Sequence, residues 1–272
     1  MRSAAAGSDL TFPAEPSSLG RLSDPHLALY KPDGPGPFPA VVVHHQCGGL
    51  VNAQGTLKNL SVLEWAREAV SRGWVALVVD SLGPRGVDTV CFGPKGGVTY
   101  GVGARDALRA AAHLRSLPYV DKSRIGMIGF SWGGGTALMA ASEPAAAATN
   151  AADRFNAVVA IYPPCWNVPA SGAAPYTVLY GPVKTPLLVL MGGLDRETPA
   201  AECVPRLQAV KDAGDPVHWH LYPEAGHCWD CQNLDGRRKR DARGTDIVYR
   251  YDAALTRDAA QRAFAFLQNG KP

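Results

Sequence analysis

The sequence predicts an α/β protein with a mostly parallel central sheet and helices on both faces. Short runs that are almost entirely apolar and β-branched recur along the chain, as strands buried on both faces require. Amphipathic, helix-like stretches fill the gaps between them, the alternation that a parallel sheet with crossover helices produces. A chain of 272 residues with 46% hydrophobic and 19% charged residues can bury one large core, so a single domain over residues 1–272 is expected.

Taken in order, residues 1–20 are small, polar and proline-bearing and read as a flexible N-terminal segment, and an antiparallel edge hairpin is expected within residues 1–38. "AVVVHH" (40–45) is the first core strand. Residues 61–73 form a helix with Ser61 as N-cap and Gly73 as its stop, with Val62, Trp65, Ala66 and Ala69 on one face. Strands follow at 74–80, 124–130, 157–163, 186–192 and 217–223, and helices at 103–117, 134–142, 199–214 (despite Pro205) and 256–268. Residues 163–185 and 228–255 break the alternation and read as long loops at the end of the sheet where ligands bind.

Charge excludes little but argues against nucleic acid, since 27 basic residues are nearly matched by 24 acidic ones, for a net +3. The dense cluster "RRKR" at 237–240, followed by Asp241, reads as a solvated loop. No stretch approaches the ~20 continuous apolar residues of a membrane span. The opening residues do not resemble a signal peptide, and fit the mature part of an exported protein.

The strongest motif is Gly129-Phe130-Ser131-Trp132-Gly133, a G-x-S-x-G between a strand and a helix. Glycines flank the serine because the chain turns so sharply that side chains at 129 and 133 would collide. The plain alternative is a glycine-rich turn in which Ser131 only caps a helix. A serine hydroxyl is a weak nucleophile, so a base must take its proton and a carboxylate must orient that base. Partners are expected after later strands, in the order acid then histidine. Asp195 in "LLVLMGGLDRETPA" and His227 in "WHLYPEAGHCWD" each stand just past a strand. Either could be a plain helix cap or loop residue on its own, but their order and placement make coincidence a poor account.

Through "HHQCGGL", "DSLGPRG", "GFSWGGG", "GGLDRETPA" and "PEAGH", from about residue 38 to 268, the chain resembles the dienelactone hydrolase family of α/β-hydrolases. The resemblance implies an α/β-hydrolase fold, a triad of Ser131, Asp195 and His227, and no cofactor. The family's name-giving enzymes carry cysteine where this chain has Ser131, which moves the expected chemistry toward ester hydrolysis. The oxyanion hole is expected from the backbone N–H of Trp132 and of Cys47, with Gln46 as next choice for the second donor. The Gln46 side chain is a further candidate contact. Arg85 in "DSLGPRG" either binds a substrate carboxylate bidentately or forms a structural ion pair, with Asp80 as partner.

"AGHCWDC" (225–231) raises a metal alternative, with His227, Cys228 and Cys231 as ligands. A zinc site needs further ligands, and His227 would have both ring nitrogens committed to the triad. Disulfides account better for the six cysteines, paired as Cys47 with Cys91, Cys165 with Cys203 and Cys228 with Cys231, because each pair joins adjacent loops. Three bridges imply an oxidising compartment, periplasmic or extracellular, against the alternative of buried free thiols in the cytoplasm.

The expected function is thus hydrolysis of a small-molecule carboxylic ester. Tyr162, Trp166 and Trp229, with Trp132 and Tyr100, are expected around Ser131, suiting an aromatic or bulky group. No large cap domain is apparent, and the protein is expected to be a monomer or homodimer without nucleic-acid or membrane partners. A lactonase, a peptidase and a non-catalytic binding protein on the same fold are the rivals.

Overall fold

Seven strands hydrogen-bond side by side in the order β1-β3-β2-β4-β5-β8-β9. They are β1 (Leu29–Tyr30), β2 (Phe38–His44), β3 (Val75–Val79), β4 (Val120–Phe130), β5 (Ala157–Ile161), β8 (Leu187–Gly192) and β9 (Val217–Tyr222). The computed structural model describes residues 10–17, 28–52, 54–142, 154–170, 173–179, 181–241 and 244–271. All neighbours from β3 to β9 pair in parallel, and only the two-residue β1 runs antiparallel, along β3. Among the described residues the expected edge hairpin is therefore a single edge strand.

Five helices carry the crossovers and the C-terminus among the described residues: α1 (Ser61–Ser71), α2 (Tyr100–Ser116), α3 (Trp132–Ala141), α4 (Ala200–Asp212) and α5 (Ala253–Asn269). The central strands are buried on both faces, which is why they lack polar alternation, whereas the edge strand β9 is only partly buried. Val42, Leu77 and Met127 point toward Ala107, Leu114, Leu138 and Leu207 of α2, α3 and α4. Their chain neighbours Val41, Val43, Val78 and Ile128 point the other way, toward Val62 and Trp65 of α1 and Phe264 and Leu267 of α5. Each such fully buried aliphatic or aromatic side chain stabilises the fold by about 1.5–3 kcal/mol.

Local signals differ from expectation at three helix starts. Leu60 rather than Ser61 caps α1, because Asn59 accepts the Ser61 N–H and draws Ser61 into the first turn. Helix α2 begins at Tyr100, three residues early, since the Thr99 hydroxyl accepts the Val102 N–H. Asp252, accepting from Ala254 and Leu255, starts α5 at Ala253.

Leu10, Phe12 and Pro13 pack against the folded body. Leu10 is in the core, Phe12 packs on His113, and the Pro13 carbonyl accepts from His113. These contacts fall within the segment read as flexible over 1–20, of which residues 1–9 and 18–20 lie outside the described residues. The long loops contain small hairpins: β6 (Asn167–Ala170) with β7 (Ala173–Thr177), and β10 (Arg238–Arg240) with β11 (Asp246–Val248). Among the described residues no large cap stands over the strand ends.

Candidate active site

Strand order reverses at β2, with β3 on one side and β4 on the other. Loops leaving such a switch point diverge to opposite faces and open a crevice at the strands' C-terminal ends. Ser131 follows β4 directly and stands at the start of α3 with φ 51° and ψ −113°. Its neighbours must be glycines: a Cβ at Gly129 would meet the Gly133 carbonyl, and one at Gly133 the carbonyls of His44 and His45. The Ser131 N–H donates to Ile161 O at 2.9 Å, which fastens the strained residue to β5.

Asp195 and His227 leave β8 and β9 beside it. The Ser131 hydroxyl lies 3.0 Å from His227 Nε2, and His227 Nδ1 lies 2.7 Å from Asp195 Oδ2. With Nδ1–H donating to the carboxylate, Nε2 is the free acceptor for the serine proton. Asp195 Oδ1 accepts the N–H groups of Glu197 and Thr198, both at 2.8 Å. The Thr198 hydroxyl reaches Asp195 Oδ2 at 2.8 Å and the Tyr162 carbonyl at 3.0 Å, so the acid is locked in place. All three side chains are buried. Burial pushes the His227 imidazolium down, but the Asp195 and Glu197 carboxylates outweigh it and leave the ring's pKa above its ordinary value.

Trp132 is the first residue of α3, where the helix itself leaves the N–H unused. Its ring is buried, stacked on His45 and Tyr100. Cys47 lies across the crevice in the loop after β2 and lines the same space as Ser131 and Trp132. Gln46 is buried beside it, its amide donating to Ser61 Oγ at 3.1 Å and more weakly to Tyr162 OH at 3.5 Å.

Two clefts meet at Ser131. One, of about 510 Å³, is walled by Val90, Phe92, Pro94, Tyr100, Trp132, Pro164 and Trp166. The other, of about 370 Å³, is lined by Gln46, His227 and the cations Lys58, Arg237, Lys239 and Arg240. Phe92, 74% exposed, stands at both mouths. Trp166 and Tyr100 thus stand where an aromatic wall was expected.

Three expected substrate contacts are corrected. Arg85 does not face the crevice: its side chain is fully buried and makes a bidentate pair with Asp106, at 2.7 and 2.9 Å, while also donating to the Ser81 carbonyl. Asp80 accepts the Leu82 and Gly83 N–H groups and turns the chain after β3. Tyr162 and Trp229 are each 1% exposed and line neither cleft. Tyr162 turns under the site with φ 38° and donates to Asp230 Oδ1 at 2.7 Å, and Trp229 packs edge-on against Tyr162 and Tyr222.

Cys47–Cys91, Cys165–Cys203 and Cys228–Cys231 are joined as expected, and no described cysteine is free. The first ties the candidate oxyanion loop to the Phe92 loop, the second ties the loop after β5 to α4, and the third closes a ring immediately after His227. Cys228, Asp230 and Cys231 cluster tightly enough to suggest metal ligands. Their two sulfurs are bonded to each other, and both His227 nitrogens face Asp195 and Ser131.

Sequence reasoning missed Thr198, Glu197, Lys239 and Tyr249. Thr198 and Glu197 lie within three residues of Asp195, but no spacing rule singles them out. Lys239 belongs to the "RRKR" run read as solvated. It is instead only 24% exposed and bound to Glu197.

A parallel sheet crossed on both faces, with a serine on a strained turn at the switch point and an aspartate and histidine after later strands, defines an α/β-hydrolase. The dienelactone hydrolase family matches residues 27–270, so the chain belongs to that family. A "Putative carboxymethylenebutenolidase" of Methylorubrum extorquens is 32% identical over 127 residues, 44% of this chain and 39% of that relative's length. Among solved structures, a "Putative Dienelactone Hydrolase" of Klebsiella pneumoniae superposes with TM-score 0.59 at 20% identity, covering 87% of this chain and 89% of that one. A propionate-bound thermophilic esterase of Thermogutta terrifontis superposes with TM-score 0.62 at 18% identity, covering 89% and 88%. At these identities the structural likeness concerns the fold.

Proposed function

We propose that this chain is a serine hydrolase of carboxylic esters, working through an acyl-enzyme on Ser131 without a cofactor. The observation that carries the reading is the unbroken line from Ser131 Oγ through His227 to Asp195, with separations of 3.0 and 2.7 Å. Ser131 Oγ attacks the ester carbonyl as its proton passes to His227 Nε2. Asp195 holds the tautomer that makes this possible. The N–H groups of Trp132 and Cys47 stabilise the oxyanion, and collapse expels the alcohol, which takes the proton from Nε2. Water then repeats the sequence and frees the acid.

The cleft walled by Phe92, Tyr100, Trp132 and Trp166 suits an aromatic or bulky acyl or alcohol group. Three disulfides favour an exported protein, in the periplasm or outside the cell. A lactonase reading is kept because the chain belongs to the dienelactone hydrolase family and matches part of a protein named for butenolide hydrolysis. The machinery is the same, and comparison of linear esters with lactones separates them.

The test is hydrolysis of a short and a long p-nitrophenyl ester by wild type and Ser131→Ala, with a chelator control. Activity lost by at least about a thousandfold in the folded variant and untouched by chelator is expected. Activity that survives Ser131→Ala, or disappears with the chelator, rejects the serine mechanism.

A further inference from the structure

The Nε2 edge of His227 carries a second carboxylate that the triad does not use. Glu197 Oε2 lies 3.8 Å from Nε2, the same nitrogen that faces Ser131, and its side chain is 11% exposed. It is held from outside by the hairpin: Lys239 Nζ contacts Oε1 at 2.5 Å, and the Tyr249 hydroxyl donates to Oε2 at 3.2 Å. Glu197 lines both clefts at the point where they meet.

We propose that Glu197 is an electrostatic positioning residue for His227, stabilising the imidazolium in both halves of the reaction, with Lys239 as the counter-ion that moderates it. The inference rests on the serine-hydrolase reading. In acylation the Ser131 proton moves to Nε2 as the Oγ–C bond forms and the carbonyl π pair moves onto oxygen. The ring stays cationic until the C–O bond to the alcohol breaks and the departing oxygen takes that proton. In deacylation a water proton moves to Nε2 as its oxygen bonds to the acyl carbon, and Ser131 Oγ recovers the proton on leaving. In each interval the positive ring lies between Asp195 at Nδ1 and Glu197 beside Nε2. At 3.8 Å Glu197 is too far to hydrogen-bond the nitrogen, so it leaves Nε2 free for serine and water and acts through its charge.

Other groups around the ring set the sign of the effect. Asp195 and Glu197 favour the cation and Lys239 opposes it. Tyr162 lies tilted against the ring at 4.5 Å, Tyr249 lies at 6.1 Å, and Asp230 sits buried behind Tyr162. A plain latch is the competing account, in which Glu197 serves only to pin the hairpin carrying Lys239. The two accounts differ in one respect. As a latch, loss of either partner has the same consequence. As an electrostatic pair, loss of Glu197 and loss of Lys239 move the histidine in opposite directions.

The experiment is the pH dependence of Ser131 labelling by a fluorophosphonate probe, in wild type, Glu197→Gln and Lys239→Met. The rate rises with pH as His227 becomes neutral. The midpoint is expected to fall by about one pH unit in Glu197→Gln, with a plateau roughly tenfold slower, and to rise in Lys239→Met. Midpoints that stay put or move together overturn the role of Glu197 while leaving the serine reading intact. Failure of the wild type to label overturns both. Should Glu197→Gln not fold, Lys239→Met alone decides, and an unmoved or lowered midpoint overturns the proposal.

Discussion

Tyr162 lies against His227 with ring centroids 4.5 Å apart, and its hydroxyl is anchored 2.7 Å from the buried Asp230. Trp65 Nε1 donates to the other Asp230 oxygen at 2.8 Å. The wall behind the histidine is therefore a hydrogen-bonded unit reaching from the loop after β5 to α1. Tyr162→Phe keeps the ring but leaves a buried carboxylate short of a donor, which costs about 1–3 kcal/mol. A lower unfolding midpoint is expected, with a several-fold loss in kcat and little change in KM. A change confined to KM would show that Tyr162 contacts substrate instead.

Arg85 and Asp106 form a pair with no accessible side-chain surface. Removing one partner strands the other's charge in the core, at a cost of about 3–5 kcal/mol. Arg85→Met should therefore lower stability by that order, measured by urea unfolding, while KM for anionic and neutral esters changes alike. A selective loss for anionic esters would return Arg85 to the substrate.

Buried histidines predict acid sensitivity. Burial, reinforced for His44 by the neighbouring His45, depresses both pKa values, that of His44 strongly. Below the ordinary histidine value of about 6.5 the unfolded chain takes up protons that these folded rings refuse, so stability falls as pH falls. His227 has the opposite sign: its raised pKa contributes stability that is fully present below about 6.5 and is lost as pH rises through the folded value. From these groups stability should peak near pH 6.5 and drop toward pH 5 with a slope of up to about two protons, roughly 2.7 kcal/mol per pH unit. Urea midpoints between pH 8 and pH 5 measure it. A flat profile below pH 6.5 would contradict the buried, neutral state of both rings.

Much of the site was readable because its logic is local. The G-x-S-x-G carries its own steric demand, and Asp195 and His227 each follow a recognisable strand, so strand order alone brings them to one edge. The cysteine pairs were readable for the same reason, since loops after neighbouring parallel strands are neighbours. Tyr162 and Trp229 were misread because position just past a strand indicates an end of the sheet, not the direction of a side chain, while the structural ion pair weighed for Arg85 forms with Asp106, a partner the sequence did not point to. Whether an arginine there faces substrate or core depends on Asp106, 21 residues away on α2.

By itself, then, the sequence determined the sheet, its crossovers and the strand ends on which Ser131, Asp195 and His227 stand, because apolar periodicity and turn sterics act between near neighbours in the chain. Only the tertiary structure decided what surrounds them: Asp106 against Arg85, Asp230 behind Tyr162, and Glu197 held by Lys239 beside the histidine. Those pairings depend on burial and distance between residues far apart in sequence, which only the packed fold brings together.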